Sequence, residues 1–202
     1  MEIIAATQNI NKISELSDIM KAYGFQILSL SAAGIPALDI EEDGATFEEN
    51  SLKKASVITG FSGKPAIADD SGLEVDCLNG APGVYSARFA GIQGPCADNA
   101  NNKKLLSLMK DVPDELRSGR FISVVTLVFP DGGIISAKGV CDGTIGREER
   151  GTGGFGYDPL FTPDGYEKTF AELSKEEKNR ISHRAKALAM LKEKLNKSAP
   201  AP

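Results

Sequence analysis

The sequence has few of the residues that hold small secreted proteins together. Its three cysteines, Cys77, Cys96 and Cys141, have no CxxC spacing, and their number is odd. Scattered cysteines in odd number are typical of reduced thiols and supply no structural zinc site. We therefore expect a protein that folds without disulfides in the cytoplasm.

Basic clusters and long apolar runs are also missing. The chain has no dense block of Lys or Arg and a formal net charge of -5, so it lacks the feature typical of binding to a nucleic-acid backbone. No apolar run approaches the roughly 20 residues needed to cross a bilayer, and no basic leader precedes an apolar stretch at the N-terminus. We expect neither nucleic acid nor membrane as a partner.

The residues that are present suffice for a hydrophobic core. Hydrophobic residues make up 41% of the 202 positions and charged residues 25%, which is ordinary for a globular protein. This length suits one large domain or two small lobes that share a sheet. We expect a single domain over residues 1–197 and a disordered tail over residues 198–202.

The most distinctive chemical feature is a short apolar run that meets two adjacent aspartates, Asp69 and Asp70, within residues 65–73 (PAIADDSGL). A strand that ends at this point would place both carboxylates at the rim of a sheet, where clefts form. Adjacent carboxylates repel each other, and a divalent cation with oxygen ligands relieves that repulsion. The pair therefore predicts a Mg²⁺ site.

A second candidate site lies where the first predicted strand, residues 2–6, connects to a helix that ends at Gly24. The connection is the polar segment 7–12 (TQNINK). Unpaired backbone amides at the start of a helix bind anions, and Lys12 with the Thr7 hydroxyl would complete a phosphate cradle. An ordinary capped turn with a solvated lysine is the alternative interpretation.

Strand and helix patterns continue along the chain. Residues 25–30 indicate a second strand, and Thr46 with Glu49 forms a capping box at the start of a helix. Two apolar runs, residues 121–129 and 134–140, flank a turn and predict a hairpin. Strand and helix units followed by an antiparallel hairpin predict an α/β fold with a mixed sheet flanked by helices.

Residues 151–156 (GTGGFG) formally match the GxGxxG pattern of dinucleotide-binding proteins. That pattern requires a buried strand before it and a helix after it. Here residues 147–150 are mostly charged, and Pro159 stands where the helix should begin. The glycine-rich segment, which ends in residues 155–158 (FGYD), instead indicates a loop that approaches a ligand and offers an aromatic ring to a base.

The last helical pattern covers residues 172–197. Either one continuous helix or a break with a new helix capped by Ser182 is compatible with it. After a break, His183 and Arg184 would lie in a first turn with free amides. A single histidine is more often structural than functional, but the neighbouring Lys178 and Arg184 favour a polar site.

Six motifs occur in the order TQNINK, an acidic run with TFEEN, ADDSGL, GAPGVYSARF, GTGGFGYDP and EEKNRISHR. Together they resemble the inosine triphosphate pyrophosphatase family, also called non-canonical purine NTP pyrophosphatases or dITP/XTP pyrophosphatases. The resemblance covers Thr7 to Leu191. It implies an elongated mixed sheet with a central substrate cleft between two lobes, a homodimer, and Mg²⁺-dependent hydrolysis of ITP, dITP and XTP to the monophosphate and pyrophosphate.

The resemblance also implies roles for individual residues. Asp70 corresponds to the proton acceptor and a metal ligand, and we expect Asp69 to support the metal or the geometry. The metal-binding glutamate before Gly44 is either Glu41 or Glu42. Two further groups are implied to bind substrate. Those at the phosphate end are Thr7, Gln8, Asn9, Ile10, Asn11 and Lys12, with Ser71 also touching substrate and Lys54 added on grounds of charge. Those at the nucleobase are Phe155, Gly156, Tyr157, Asp158, Lys178, His183 and Arg184.

Two other functions remain compatible with the sequence. One is a related septum-associated nucleotide pyrophosphatase that acts on modified pyrimidine or canonical nucleotides. The other is a nucleotide-binding sensor without turnover, although the presence of both Asp69 and Asp70 argues against it because a sensor needs no base that activates water. The role implied by the family is the removal of deaminated purine nucleotides from the nucleotide pool.

Overall fold

In the computed structural model the described residues, 1–198, form an α/β fold around one six-stranded sheet. The strands are β1 (Glu2–Ala5), β2 (Gln26–Leu28), β3 (Ala66–Val75), β4 (Ser118–Val128), β5 (Ile134–Ile145) and β6 (Phe161–Pro163). The α-helices are α1 (Ile10–Lys21), α2 (Phe47–Ser62), α3 (Ala97–Leu108), α4 (Lys175–Ile181) and α5 (His183–Ser198). Short 3₁₀ segments cover residues 76–78, 83–88 and 114–116. None of these helices is long and apolar enough to cross a membrane.

The sheet has the order β2-β1-β3-β4-β5-β6. β1 runs parallel to β2 and β3, whereas β5 and β6 are antiparallel. β4 and β5 are neighbours joined by the predicted turn, in which Phe129 N donates to Gly133 O at 2.8 Å. The predicted mixed α/β sheet flanked by helices is confirmed.

The chain divides into two compact units. Unit 1 contains residues 1–70, 123–139 and the chain from His183 onward, and unit 2 contains residues 71–122 and 140–182. Strands β3, β4 and β5 each supply residues to both units. Two units agree with the expected two lobes, while the central cleft and the single domain over residues 1–197 stay predictions. Of the predicted tail, Ser198 ends α5 and residues 199–202 lie outside the described residues.

Unit 1 has two hydrophobic clusters because successive side chains of a strand point to opposite faces of the sheet. Ile3 of β1 and Ile67 of β3 pack with α1 and α5 in the first cluster. Ile4 of β1, with Ala66 and Ala68 of β3, packs with α2 in the second cluster. β1 and β3 are therefore covered on both faces, as expected for parallel strands joined by helices.

Unit 2 has its own core. Three phenylalanine rings meet in it, with the centroid of Phe121 4.8 Å from that of Phe161 and 5.8 Å from that of Phe170. Leu73 and Val75, from the second half of β3, are buried in the same cluster. Apolar side chains therefore keep β3 in the sheet well beyond the two aspartates.

The helix starts follow the predicted capping residues. The capping box of Thr46 and Glu49 is present at the start of α2, which confirms that prediction. The C-terminal helical pattern is broken at Ser182, whose backbone is extended (φ -64, ψ 157), so the alternative with two helices is the correct one. His183 then begins α5, as that alternative requires.

Candidate active site

The two aspartates lie in the middle of β3 and not at its end. The strand has ten residues and continues to Val75, so the prediction of a carboxylate pair at the rim of the sheet is wrong. In a continuous strand, adjacent side chains point to opposite faces. Asp69 therefore lies on the face of Ile67, towards α1 and α5, and Asp70 lies on the face of Ala68, towards α2.

Asp69 belongs to a buried network of charges on the α1 and α5 side, and only 1% of its surface is exposed. Its carboxylate accepts hydrogen bonds from Arg184, with Nη2 at 2.9 Å and Nε at 3.3 Å, and from the Ser123 hydroxyl. Lys12 Nζ lies 2.9 Å from its Oδ2. The Arg184 guanidinium also donates to Glu15. Cations and donors on several sides thus compensate for the burial of this carboxylate.

These charges keep Asp69 ionised. Burial alone would raise the pKa of Asp69, but the positive charges of Arg184 and Lys12 outweigh it and hold that pKa well below its usual range. In return, Asp69 and Glu15 raise the pKa of Arg184 even though burial opposes this. A carboxylate held in this way is a poor proton acceptor, so Asp69 is an electrostatic anchor for the helices around it.

Asp70 faces a different set of groups, all presented by α2 and the segment before it. Lys54 Nζ lies 2.8 Å from Oδ1 of Asp70, 3.1 Å from the Asp69 carbonyl oxygen and 3.2 Å from Oε1 of Glu42. Asn50 Nδ2 donates to Oδ2 of Asp70 at 3.3 Å. Only 4% of the Asp70 surface is exposed. Asn50 and Lys54 are one helical turn apart and so reach the same carboxylate from one face of α2.

The pKa values of Asp70 and Glu42 are shifted in opposite directions. Burial raises the pKa of Asp70, which the charges of Lys54 and Lys12 only partly counteract. Burial would raise the pKa of Glu42, but the positive charges of Lys54 and Lys12 outweigh it and lower that pKa. When the pKa values of two nearby carboxyl groups are shifted apart, one group can take part in proton transfer while the other stays charged. Asp70 is the group suited to exchange a proton.

Glu41 and Glu42, the two candidate metal ligands, differ in their surroundings. Glu42 is half-buried and contacts Lys54, whereas Glu41 is exposed. Within residues 1–198 no group of three or more His, Cys, Asp or Glu side chains is arranged to hold a metal ion. Two carboxylates nevertheless fit Mg²⁺, which commonly uses one or two protein carboxylates and completes its shell with water and substrate phosphates.

The loop after β1 lines the same pocket as these charged groups. A cavity of about 290 Å³ is bounded by residues of three segments, namely Ala6, Thr7, Gln8, Asn9, Leu30, Leu38, Asp39, Ile40, Glu42 and Lys54. The predicted phosphate loop and the predicted metal and lysine groups therefore meet in unit 1. Ile10, which belongs to the first turn of α1, is 80% exposed and lines a second, more apolar cavity of about 430 Å³ that shares Thr7 and Gln8 with the first.

The amides at the start of α1 differ from the prediction. Asn9 is the N-cap, and its side chain accepts hydrogen bonds from the amides of Asn11 at 3.0 Å and Lys12 at 3.1 Å. The Thr7 hydroxyl accepts from the Asn9 amide at 3.1 Å. Two first-turn amides expected to be free are thus occupied, because an asparagine at this position caps its own helix. The capped-turn alternative describes the backbone correctly, although Lys12 is not solvated but paired with Asp69.

The predicted nucleobase residues of unit 2 form a tight cluster around Asp158. This buried carboxylate accepts from the Phe155 amide at 2.8 Å and from Lys178 Nζ at 2.6 Å. Lys178 Nζ also lies 4.9 Å from the centre of the Phe155 ring. Gly154 has a positive φ of 69°, and the Asp158 carboxylate occupies the place where a Cβ would stand, so only glycine fits there.

Other contacts hold the neighbouring residues of this loop. Gly156 is held at both backbone groups by α3, with Asp98 accepting from its amide at 2.8 Å and Asn102 donating to its carbonyl at 3.1 Å. The Tyr157 hydroxyl donates to the Ser86 carbonyl at 2.9 Å, and burial raises the pKa of Tyr157. Tyr157 is therefore part of the core, whereas the Phe155 ring is half-buried and lies next to Lys178.

Three further predicted residues are His183, Arg184 and Ser71. His183 and Arg184 are buried in unit 1, and Arg184, with 0% exposure, is engaged with Asp69 and Glu15. The nucleobase contacts of His183 and Arg184 therefore stay predictions, and the structure itself shows Arg184 in an ion pair. Ser71 is half-buried and follows Asp70 directly, as the first residue of unit 2.

Four buried polar residues that contact predicted site residues were not predicted from the sequence, namely Glu15, Asn50, Asn102 and Ser123. A signal existed for one of them, because Asn50 precedes Lys54 by one helical turn within the TFEEN motif. For Glu15 and Ser123 no local signal exists, since their partners Arg184 and Asp69 are far away in sequence.

The chain is similar over nearly its whole length to proteins of one family. The model of the Ham1 family matches residues 3–194. A dITP/XTP pyrophosphatase of Desulforamulus reducens is 52% identical over 198 residues, which cover 98% of this chain and 96% of that protein. A dITP/XTP pyrophosphatase of Clostridium perfringens is 50% identical over 200 residues, covering 96% and 97%. The solved structure of the Staphylococcus aureus Ham1 protein is 39% identical with a TM-score of 0.84, covering 98% of this chain and 100% of that one.

Proposed function

The chain belongs to the Ham1 family, and we propose that it is a nucleoside-triphosphate pyrophosphatase that converts dITP, XTP and ITP to the monophosphate and pyrophosphate. Curated relatives named dITP/XTP pyrophosphatase match this chain at about half of all positions and along nearly their whole length. The observation that carries the proposal is the pocket of unit 1, in which the loop after β1 meets Glu42 and Lys54. Such a pocket suits the charged end of a triphosphate.

Lys54 and the loop bind and orient the phosphates in this proposal. The triphosphate carries several negative charges, which must be neutralised before a nucleophile can approach. Lys54 Nζ lies 2.8 Å from Asp70 and 3.2 Å from Glu42. The positive charge is therefore held beside the acidic groups of the site. The exposed Gln8 and Asn9 side chains line the same pocket and can contact phosphate oxygens.

Asp70 activates the attacking water. Its raised pKa makes it a stronger base than an ordinary aspartate. Asp70 accepts a proton from the water as the water oxygen forms a bond to the α-phosphorus. The bond from the α-phosphorus to the bridging oxygen breaks, and pyrophosphate leaves with that oxygen.

Asp70 and Glu42 are the residues proposed to hold Mg²⁺. Both supply the hard oxygen ligands that this ion prefers, and the pKa of Glu42 is lowered, so it is charged at neutral pH. When bound, the ion would neutralise charge on the phosphate oxygens and on the departing pyrophosphate.

Recognition of the base is assigned to Lys178 and residues 155–158 of unit 2. Selecting hypoxanthine or xanthine over adenine requires donors aimed at the 6-keto oxygen, because adenine presents an amino group there and would leave buried donors unpaired. Lys178 is a buried donor positioned by Asp158, and the Phe155 ring next to it offers a stacking surface. The homodimer and the cytoplasmic location belong to this proposal as well.

Hydrolysis of a panel of nucleoside triphosphates with Mg²⁺ tests the function. We expect pyrophosphate as the product and faster turnover of dITP, XTP and ITP than of ATP, GTP or TTP. We further expect the Asp70→Asn variant to bind dITP but to lose activity by about 10² or more, because the general base is removed.

Each alternative outcome has a definite meaning. Release of orthophosphate would move the attack to the γ-phosphorus and overturn the assigned step. Comparable turnover of ATP, or a preference for modified pyrimidine nucleotides, would favour the septum-associated type of pyrophosphatase. Binding of dITP without hydrolysis by the unaltered protein would indicate a sensor.

A further inference from the structure

We propose that Asn50 is a positioning residue that sets the orientation of the Asp70 carboxylate. The inference rests on the proposed function, in which Asp70 accepts the proton of the attacking water. Asn50 lies in the second turn of α2 and is 0% exposed. Its only conspicuous feature in the sequence is the spacing of one helical turn from Lys54.

Both ends of the Asn50 side-chain amide form hydrogen bonds, and these bonds show which end faces Asp70. The Gly44 amide donates to Oδ1 of Asn50 at 2.8 Å. A backbone amide can only donate, so the atom that faces Gly44 must be the carbonyl oxygen. The Nδ2 group is then the end that faces Asp70, and it donates to Oδ2 at 3.3 Å.

The two oxygens of Asp70 thus have separate partners. Oδ1 lies 2.8 Å from Lys54 Nζ, and Oδ2 takes the hydrogen bond from Asn50. A carboxylate held at one oxygen by a long lysine side chain can still rotate about its last torsion angle. A second donor on a short side chain, itself held by backbone, defines the plane of the carboxylate and hence the direction of its free lone pairs.

Gly44 makes this arrangement possible. A Cβ at position 44 would come within 2.7 Å of Asn50 Oδ1 and 2.8 Å of the Glu49 Cβ, so a side chain there would displace the Asn50 amide. Gly44 also follows Glu42 by two residues. One buried amide therefore ties the segment that carries Glu42 to the strand that carries Asp70, and it holds the two carboxylates in a constant relation.

The experiment compares three variants with the unaltered protein in dITP hydrolysis at saturating Mg²⁺. Asn50→Asp keeps the size of the side chain and the acceptor for Gly44, but it replaces the donor to Asp70 by a carboxylate oxygen that repels it. Gly44→Ala retains Asn50 but pushes its amide aside. Ser51→Ala is the matched control, because Ser51 is equally buried on the same helix and its hydroxyl contacts Thr126, away from both carboxylates.

We expect kcat to fall by about tenfold to a hundredfold in Asn50→Asp and Gly44→Ala, since a small misplacement of a catalytic group costs that much. KM should stay within about threefold, because an interaction needed only in the transition state is removed. Ser51→Ala should retain kcat within about twofold. A kcat near that of the unaltered protein in either site variant, or an equal loss in Ser51→Ala, would overturn the inference.

A crystal structure of the free Asn50→Asp protein supplies a readout without turnover. We expect the Asp70 carboxylate to rotate away from its present plane, and an unchanged orientation would refute the positioning role. If Asn50→Asp does not fold, the kcat and the Asp70 orientation of Gly44→Ala decide the question. If the unaltered protein hydrolyses none of the nucleotides, the proposed function fails, while the orientation of Asp70 still tests Asn50.

Discussion

Asp69 and Asp70 are adjacent and chemically identical, yet the structure predicts opposite consequences of changing them to asparagine. The Asp69→Asn variant keeps the shape of the side chain and opens no cavity, so its effect isolates the charge. That charge is compensated by Arg184 and Lys12, and the Ser123 hydroxyl donates to it. Its loss leaves the fully buried guanidinium of Arg184 with the Glu15 carboxylate but without the Asp69 charge.

The magnitude follows from the behaviour of buried ion pairs. Removing one partner of such a pair typically costs about 3–5 kcal/mol, because the other charge stays buried. For a protein of this size, 1 kcal/mol shifts the midpoint of thermal unfolding by about 2–4 °C. We therefore expect Asp69→Asn to unfold about 6–20 °C below the unaltered protein. The measurement is thermal unfolding followed by circular dichroism.

Asp70→Asn is the matched control. Burial raises the pKa of Asp70, which means that the folded protein disfavours its charged form, and Lys54 keeps its ion pair with Glu42, so removal of the Asp70 charge should cost little stability. We expect its midpoint to lie within about 4 °C of the unaltered protein, a difference of about 1 kcal/mol, while hydrolysis is lost. A midpoint of Asp69→Asn close to that of the unaltered protein, or an equal drop in both variants, would refute the assignment of the two roles.

The pH dependence gives a second check on Asp69. Its pKa is lower in the folded protein than in the unfolded chain, where it is about 4. The stabilisation by its charge is therefore fully present above about pH 4 and is lost as the pH falls through the folded value. The difference in the free energy of unfolding between the unaltered protein and Asp69→Asn should be constant near neutral pH and shrink in acid. A difference that instead grows below pH 4 would contradict the lowered pKa.

Two further predictions concern the metal and the base loop. Glu42→Gln should raise the Mg²⁺ concentration needed for half-maximal hydrolysis by about tenfold or more, whereas Glu41→Gln should leave it unchanged. If a Mg²⁺ titration of the two variants gives the reverse order, Glu41 is the ligand. Asn102→Ala removes the hydrogen bond to the Gly156 carbonyl. We expect the free energy of unfolding to fall by about 1 kcal/mol. We also expect KM for dITP to rise by about fivefold with kcat unchanged. Urea unfolding and steady-state kinetics measure both, and an unchanged KM would show that α3 does not position this loop.

Much of the fold follows from local sequence patterns. The strand and helix types, the capping box at Thr46, the turn between β4 and β5 and the mixed sheet were all predictable, because they depend on residues close together in the chain. The length of β3 was underestimated at the aspartates. Charged residues argue against a buried strand locally, and only the partners supplied by other elements make two buried carboxylates tolerable.

The candidate site, like the fold, could be predicted from the sequence only in part. Motif resemblance grouped the phosphate loop with Lys54 and Asp70, and in the structure residues 7–9 line one cavity with Lys54, which contacts Asp70. It left the choice between Glu41 and Glu42 open and assigned Arg184 to a base. Both questions depend on which side chains face each other after folding, and sequence spacing carries no information about that.

By itself, the sequence determined that two carboxylates would stand next to each other in an apolar strand, and the alternation of a strand sends them to opposite faces. Only the tertiary structure decided what each face contains. Asp69 meets Arg184, which is 115 positions away, and its pKa is lowered, whereas Asp70 meets Lys54, which is 16 positions away, and burial still raises its pKa. The protonation behaviour of a buried acid is set by the charges and donors around it, and those arrive through packing of distant segments.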